Sequence, residues 1–581
     1  MKKTLPFDEV AGEKLTHEQS AYLDGFFAGL RNRGFSFAEL EANPALAANA
    51  NKAVNLDELI PEERIKHELH PLDAYPLLLQ HSAGNQAPDK ENTFRFKWQG
   101  LFYLAPHKDG FMARLRIPGG QLTTHQLREL ARVAQELTSG YVQITTRANL
   151  QMRLIEPKDA PEVLRRIQGV GLHTRGAGAD NIRNLTTNPT AGIDPDELFN
   201  ALPLTHQLAQ FILNHREFYD LPRKFNVAID GGGIIGAVED TNDIGLRATR
   251  VVEGGLVPAG IYFRVALGGA TGHKAFARDL GVLVKPEEVL AVVAALLRVF
   301  IANGNRSDRK KARLKHLLES WSLERYLAET EKLLAYQLLR APIGLADLPR
   351  SEHSVPHSHV GVYPQKQKGL NYIGAAVPVG QITPRQMIRL SEIADLYGSG
   401  EVRLTVWQNF IIPNVPDAFV ETAKKALFKL GFDWEQSNLK SGFIACTGNS
   451  YCKFASSNTK RDAIELMDWL DKRFELDQPI NVHLTGCPNS CAQHYMGDIG
   501  LLGTKVKISG ETLEGYHIFV GGGFGDKQAV GRQLFSGVSV NSLKPAMEKI
   551  IAGWLQHRQA GESFQAFANR HDIGRLQEIL A

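Results

Sequence analysis

The sequence predicts an internally duplicated α+β fold distributed over several domains. The chain has 581 residues, too many for one hydrophobic core. Its composition is 43% hydrophobic and 22% charged, with 53 Gly and 27 Pro, which excludes disordered, collagenous and coiled-coil chains. The chain also repeats itself at an offset of 260 residues, setting Pro118-Gly119-Gly120-Gln121-Leu122-Thr123 against Pro378-Val379-Gly380-Gln381-Ile382-Thr383. Such a period marks a duplicated unit.

Each copy reads as strand, turn, amphipathic helix, turn, strand. Thr123 and Thr383 stand where an N-cap is wanted, just before helical periodicity begins. The register continues without a gap through Gln126 and Gln386, Leu130 and Leu390, and Ala134 and Ala394. Gly140 and Gly400 close the helices, and the alternating runs 141–145 and 401–405 follow as strands. Further mixed segments follow each copy, and a ligand is expected at the seam between the halves. In the amino-terminal region, helices are expected around His17–Arg31 and Pro61–His70.

The copies differ in charge. Arg114, Arg116 and Arg147 of the first face Gly374, Ala376 and Trp407 of the second. Guanidinium groups stay charged and fork onto oxyanions, so the first copy is equipped to grip an anion. Arg114 and Arg116 alternate on a strand, and one of them is a candidate for simple solvation. Net charge is +3, too balanced for a general nucleic-acid binder. No apolar run reaches the ~18 residues that cross a bilayer, and Met1 to Lys14 shows no secretory signal.

Cysteines occur only at Cys446, Cys452, Cys487 and Cys491, as C-x5-C followed by C-x3-C. A secreted disulfide scaffold would spread its cysteines along the chain. Four thiolates suit a tetrahedral zinc or a 4Fe–4S cluster, and incidental thiols in a glycine-rich turn are the remaining reading. The loops around them, Cys446-Thr447-Gly448-Asn449-Ser450-Tyr451-Cys452 and Thr485-Gly486-Cys487-Pro488-Asn489-Ser490-Cys491, offer backbone N–H groups that could point at sulfur.

These residues resemble the siroheme-containing nitrite and sulfite reductases. The resemblance rests on the cysteine runs, on Ala113-Arg114-Leu115-Arg116-Ile117-Pro118-Gly119-Gly120, on Thr145-Thr146-Arg147-Ala148-Asn149, on Leu221-Pro222-Arg223-Lys224-Phe225-Asn226 and on the connector His359 to Gln367. It implies two ferredoxin-like half-domains paired in one module and two α/β domains enclosing siroheme and a 4Fe–4S cluster. The expected partition is an amino-terminal segment 1–95, half-domains at 96–165 and 346–432 (the latter with the connector), a siroheme-binding domain 166–345 and a 4Fe–4S/siroheme domain 433–581. The resemblance assigns Cys446, Cys452, Cys487 and Cys491 to the cluster, with Cys491 shared with siroheme, and Arg114, Arg147, Lys224 and Asn226 to the open face of the haem. Arg116 is left without a role.

Siroheme carries eight carboxylates, and desolvated charge of that size needs cations. The basic run 305–315 supplies candidates in Arg309, Lys311, Arg313 and Lys315, joined by Arg183 and Asn489; the competing reading is a solvated helix face. Position 226 separates substrates. Sulfite reductases of the family tend to carry lysine there, and the heavier charge of sulfite wants one more cation. Asn226 offers hydrogen bonds without charge, so nitrite is expected, with sulfite as the alternative.

The run Gly521 to Gly525 lacks the G-x-G-x-x-G pattern of a dinucleotide site. With no flavin or nicotinamide module evident, electrons are expected from ferredoxin or a similar small carrier. His353, His357 and His359 sit in a connector where no metal is expected. A monomer in the cytoplasm is expected, with a plastid stroma as the alternative.

Overall fold

Thr123 and Thr383 begin equivalent helices, each closing a capping box with Gln126 or Gln386 three residues on (3.2 and 3.0 Å in both copies). The structure is a computed structural model and describes residues 9–10, 13–14, 56–104, 109–253, 257–341, 359–435 and 437–580. The expected helix at His17–Arg31, together with His353 and His357, lies outside the described residues. The chain divides into units 1–59 and 60–581. In the first, Glu9–Val10 pairs antiparallel with Glu13–Lys14.

The second unit opens with α1 (Pro61–Glu68). The first copy comprises β1 (Leu101–Tyr103), β2 (Phe111–Arg114), β3 (Gln121–Thr123), α2 (Thr124–Leu137), β4 (Val142–Ile144) and β5 (Leu150–Ile155). Next come β6 (Thr186–Thr187), β7 (Val227–Asp230), β8 (Ile244–Val251), β9 (Gly260–Leu267), β10 (Arg278–Val284), α3 (Val289–Asn303) and β11 (Leu339–Arg340). The second copy supplies β12 (Gly361–Pro364), β13 (Leu370–Ala375), β14 (Gln381–Ile382), α4 (Pro384–Tyr397), β15 (Glu401–Leu404) and β16 (Phe410–Pro416). The chain ends with β17 (Phe443–Ala445), α5 (Thr459–Asp471), β18 (Val482–Thr485), β19 (Ile499–Ile508), β20 (Glu511–Val520), β21 (Arg532–Ser539), α6 (Val540–His557) and two short helices.

The copies exchange strands. β3 leaves its own copy and pairs with β15, Leu122 opposite Val402, while β14 pairs with β4, Ile382 opposite Val142. These pairings are images of each other under the 260-residue offset. The resulting sheets run β14-β4-β5-β2-β1 and β12-β13-β16-β15-β3. Behind them α2 and α4 lie together, joined by Thr124 donating to Asp395 at 2.6 Å. One apolar core, including Leu122, Leu130, Val142, Ile382, Leu390 and Val402, serves both copies.

The two remaining domains share a plan. In β11-β10-β9-β8-β7-β6 the pairs β6–β7 and β7–β8 are parallel and the rest antiparallel. In β17-β18-β19-β20-β21 the first two pairs are again parallel. Each has its own core, one built around β7–β10 and α3, the other around β18–β20 and α6. Among the described residues, no helix is long and apolar enough to cross a membrane.

Candidate active site

The cysteine loops grow from adjacent parallel strands. β17 and β18 run side by side, Ile444 opposite His483, so Cys446 and the Cys487–Cys491 loop leave the sheet at the same carboxyl edge. Ligands of open α/β sheets gather at that edge. The Cys446 N–H donates to Leu484 O at 3.0 Å, and the Gly486 N–H points at Cys446 Sγ at 3.2 Å. All four thiols are free of disulfides. Burial pushes the Cys487 thiol up, with Cys452 and Cys446 adding to it, while hydrogen bonds from Asn489 oppose. Burial also raises Cys491, reinforced by the other three thiols and opposed by Lys224. Cys491 is nonetheless exposed, unlike the buried Cys487.

The donor set fits a cluster better than a single ion. Among the described residues, no group of three or more His, Cys, Asp or Glu side chains is placed to hold a metal ion. A tetrahedral zinc needs four ligands within about 2.3 Å of one point. The N–H of Gly486 directed at Cys446 Sγ is the donation to sulfur that a larger cube held by four thiolates uses.

Cations converge on Cys491 from the first copy and the first α/β domain. Arg114 ends β2, and Arg147 lies in the turn between β4 and β5. Thr146, beside it, bonds to the Cys491 loop. Burial lowers Arg114 to about 10, countered by Cys491. It lowers Arg147 to about 10 as well, countered by Asp243 while Arg313 and Arg114 add to the fall. Arg183 falls well below its usual range through burial and then Arg114, with Arg147 and Arg223 adding and Asp180 opposing. Lys224 is lowered by burial first and then by Arg313, with Arg183 and Arg223 contributing and Cys491 opposing.

None of Arg114, Arg147, Arg183 and Lys224 has a carboxylate partner within ion-pair distance among the described residues. Arg183 donates to the carbonyls of Ala177 (2.6 Å) and Ala179 (2.9 Å), Arg114 to Ala177 (3.3 Å), and Arg147 to Asn242 Oδ1 (2.9 Å). Half-buried cations served by neutral acceptors form a pocket suited to anions. Asn226 joins them with its amide turned to suit its neighbours: the oxygen then accepts from Arg147 Nη2 at 3.1 Å and the NH2 donates to Phe225 O at 3.2 Å.

Several cations of the basic run 305–315 are paired with carboxylates. Arg306 pairs with Glu63 (2.7 Å) and Asp220 (3.1 Å), Arg309 grips Asp180 through two bonds (2.7 and 2.8 Å), and Lys315 meets Glu319 (3.2 Å). Arg313 makes a buried fork onto Asp243 (3.1 and 2.8 Å). Lys311 is exposed, as is Asn489. Apart from Glu319, one helical turn from Lys315, these carboxylates come from distant segments, so sequence proximity could not reveal them. Arg116 is directed elsewhere, its guanidinium donating to the Arg175 carbonyl at 3.3 Å.

In the second copy the equivalent ground is filled. A Cβ on Gly374, the counterpart of Arg114, would lie 1.3 Å from the His359 carbonyl oxygen. Trp407, the counterpart of Arg147, is buried, stacks on His359 (centroids 6.2 Å) and packs on Phe524 (5.1 Å). His359 Nε2 lies 2.8 Å from Asn409 Nδ2.

Sequence reading passed over Thr146, Asp243, Arg153 and Lys460. Thr146 adjoins Arg147 in a run already singled out; Asp243 lay outside any motif. Arg153 and Lys460 flank the Cys446 loop, beside a cavity of about 350 Å³ lined in part by Tyr141, Thr447, Tyr451 and Lys460.

A duplicated half-domain module, a four-thiol edge and a cation pocket opening on its last cysteine define a redox enzyme for small oxyanions. The chain belongs to the nitrite and sulfite reductase family. Residues 178–338 and 439–580 match the nitrite and sulphite reductase 4Fe-4S domain, and 104–170 and 363–429 each match the nitrite/sulfite reductase ferredoxin-like half domain. A protein of Synechococcus elongatus named ferredoxin–nitrite reductase is 37% identical over 484 residues, covering 81% of this chain and 92% of that protein. The chloroplastic ferredoxin–nitrite reductase of Arabidopsis thaliana is 34% identical, covering 84% of this chain and 86% of its own. The structure of the Mycobacterium tuberculosis NirA protein superposes with a TM-score of 0.83 at 28% identity, covering 89% of this chain and 97% of that one.

Proposed function

We propose that this chain reduces nitrite to ammonia, with six electrons delivered by reduced ferredoxin to a 4Fe–4S cluster, which Cys446, Cys452, Cys487 and Cys491 would hold, and to a siroheme that would be held beside Cys491. The observation that carries the reading is the convergence of Arg114, Arg147 and Lys224, all without carboxylate partners among the described residues, on Cys491. Relatives named ferredoxin–nitrite reductase support the substrate and the donor.

When bound, the paired cofactors supply the electrons and the iron at which the anion is held. Arg114 and Arg147 bring fixed positive charge to the anion, and their buried setting strengthens each contact. Lys224, lowered by burial beside other cations, releases a proton more readily than a solvated lysine and serves as proton donor. Asn226 orients Arg147 and adds no charge, which suits nitrite better than sulfite. Cys446, Cys452, Cys487 and Cys491 hold the cluster. Arg183 and Lys311 bring uncommitted charge toward the siroheme carboxylates, Arg309, Arg313 and Lys315 share theirs with acidic partners, and Asn489 contributes through its exposed loop. The same proposal takes the enzyme as a monomer of the cytoplasm or a plastid stroma, and gel filtration tests the monomer.

Steady-state kinetics with reduced ferredoxin on both anions tests the function. The expected result is a larger kcat/KM for nitrite, and a larger value for sulfite overturns the substrate assignment. Absorption and EPR spectra of the reduced protein with nitrite test the cofactors. A preparation holding zinc and no iron overturns the redox reading.

A further inference from the structure

Two buried cations that the proposed reaction leaves unused grip the flanks of Cys446. Lys460, the second residue of α5, is 4% exposed. Its ammonium donates to the carbonyl of Val379 and to that of Ala445 (2.9 Å), the residue immediately before Cys446. Arg153, in β5 of the first half-domain, is 3% exposed. It donates to Thr447 Oγ1 (2.7 Å), on the residue immediately after Cys446, and to Gln151 Oε1 (2.8 Å), while its Nε finds no acceptor. Its guanidinium also lies over the Tyr451 ring at 5.6 Å, beside Cys452.

Neither cation has a carboxylate partner among the described residues. The acids nearest in sequence are committed elsewhere: Asp462 to Arg461 (2.8 Å) and the Tyr516 hydroxyl (2.6 Å), Glu465 to Lys544 (2.9 Å), and Glu156 to Lys158 (2.8 Å). A cation taken out of water without an opposite charge is costly, and two such cations from different domains meet at one cysteine. The charge that answers them belongs on Cys446 and whatever it ligates.

We propose that Lys460 and Arg153 are resident counter-cations of the iron–sulfur cluster, placed at its Cys446 corner to favour uptake of an electron. This rests on the reading of the four cysteines as cluster ligands. One electron passing from the donor to the cluster adds negative charge to a group that is already anionic, and no proton or bond is exchanged. Fixed positive charge in a poorly screened interior stabilises that reduced state and raises the reduction potential. Both residues are tuning rather than catalytic groups, since the substrate cations lie around Cys491.

The test is EPR-monitored redox titration of purified holoenzyme carrying Lys460→Met, Lys460→Arg or Arg153→Gln, with iron and sulfide content measured alongside. In Lys460→Met the ratio of reduced to oxidised cluster at a fixed ambient potential is expected to fall about tenfold, equivalent to about 59 mV for one electron. Arg153→Gln is expected to shift it in the same direction, and Lys460→Arg to stay near wild type. A cluster-loaded Lys460→Met with unchanged potential overturns the proposal. Should Lys460→Met fail to fold or load, Arg153→Gln decides alone by the same criterion. Wild-type protein without a cluster overturns the assignment of the cysteines instead, and is told apart by its iron content.

Discussion

The Thr146 hydroxyl donates to the carbonyl of Cys491 at 3.0 Å, joining two loops 345 residues apart in sequence. Thr146 precedes Arg147, so this bond registers the arginine proposed to bind substrate on the loop of the cysteine assigned to both cofactors. A neutral hydrogen bond contributes about 1 kcal/mol net, or about fivefold. Thr146→Val is expected to lower kcat/KM for nitrite by about that factor while leaving the visible spectrum intact. Unchanged kinetics would show that Arg147 is positioned without it.

Asp243 anchors the opposite wall. It holds Arg313 through a buried fork and accepts the Asn226 backbone N–H at 2.8 Å. Removing one member of a buried pair costs about 3–5 kcal/mol, because the other charge is stranded. Asp243→Asn is expected to destabilise the protein by that order in urea unfolding. A loss below about 1 kcal/mol would mean that water or a cofactor relieves Arg313.

Asn226→Lys places a cation beside Arg147. It is expected to raise the ratio of sulfite to nitrite kcat/KM about tenfold, since the heavier anion gains more from added charge. Its nitrite activity should fall as well, because the new ammonium repels Arg147. An unmoved ratio would discredit charge as the basis of discrimination.

Lys224→Gln keeps a polar side chain and removes the group proposed as proton donor. Positioned general acids contribute about 10²–10⁴ in rate, so kcat should fall by about a hundredfold or more, with a smaller change in KM. In wild type, the rate should decline as pH rises through the lowered pKa of Lys224. A pH-independent rate would remove the lysine from proton delivery.

His483 and His494 set an acid limit on stability. Burial lowers them from 6.5 to about 4 and about 3 respectively, and the Nε2 atom of each is buried without a partner. Below pH 6.5 the unfolded chain takes up protons that these folded imidazoles refuse. Their contribution is therefore complete above that pH and drains away as pH falls toward 4, by at most about 1.4 kcal/mol per unit for each ring. Urea unfolding at pH 7 and 5.5 should show the loss, and His483→Gln should make it shallower.

The repeat, its helix caps and the thiol loops were legible because each is local: a capping threonine sits three residues from its glutamine, and a cysteine loop is a few residues long. The charge asymmetry at Arg114 and Arg147 was legible too, since the offset alone aligns them with Gly374 and Trp407. Its cause was not. The approach of His359 to Gly374 depends on how one hairpin closes, and the pairings of β3 with β15 and of Arg309 with Asp180 join residues distant in sequence. Pattern shows which residues carry charge; only the fold shows which charges are already spent.

The exchanged strands have a consequence for how such a chain can change. Because Leu122 completes the sheet of one copy and Ile382 that of the other, neither copy can be deleted or transplanted without tearing its sibling. The half that has no arginines opposite Arg114 and Arg147 is thus kept as a brace. Relieved of handling substrate, it is free to drift on its outer face as long as the borrowed edge survives.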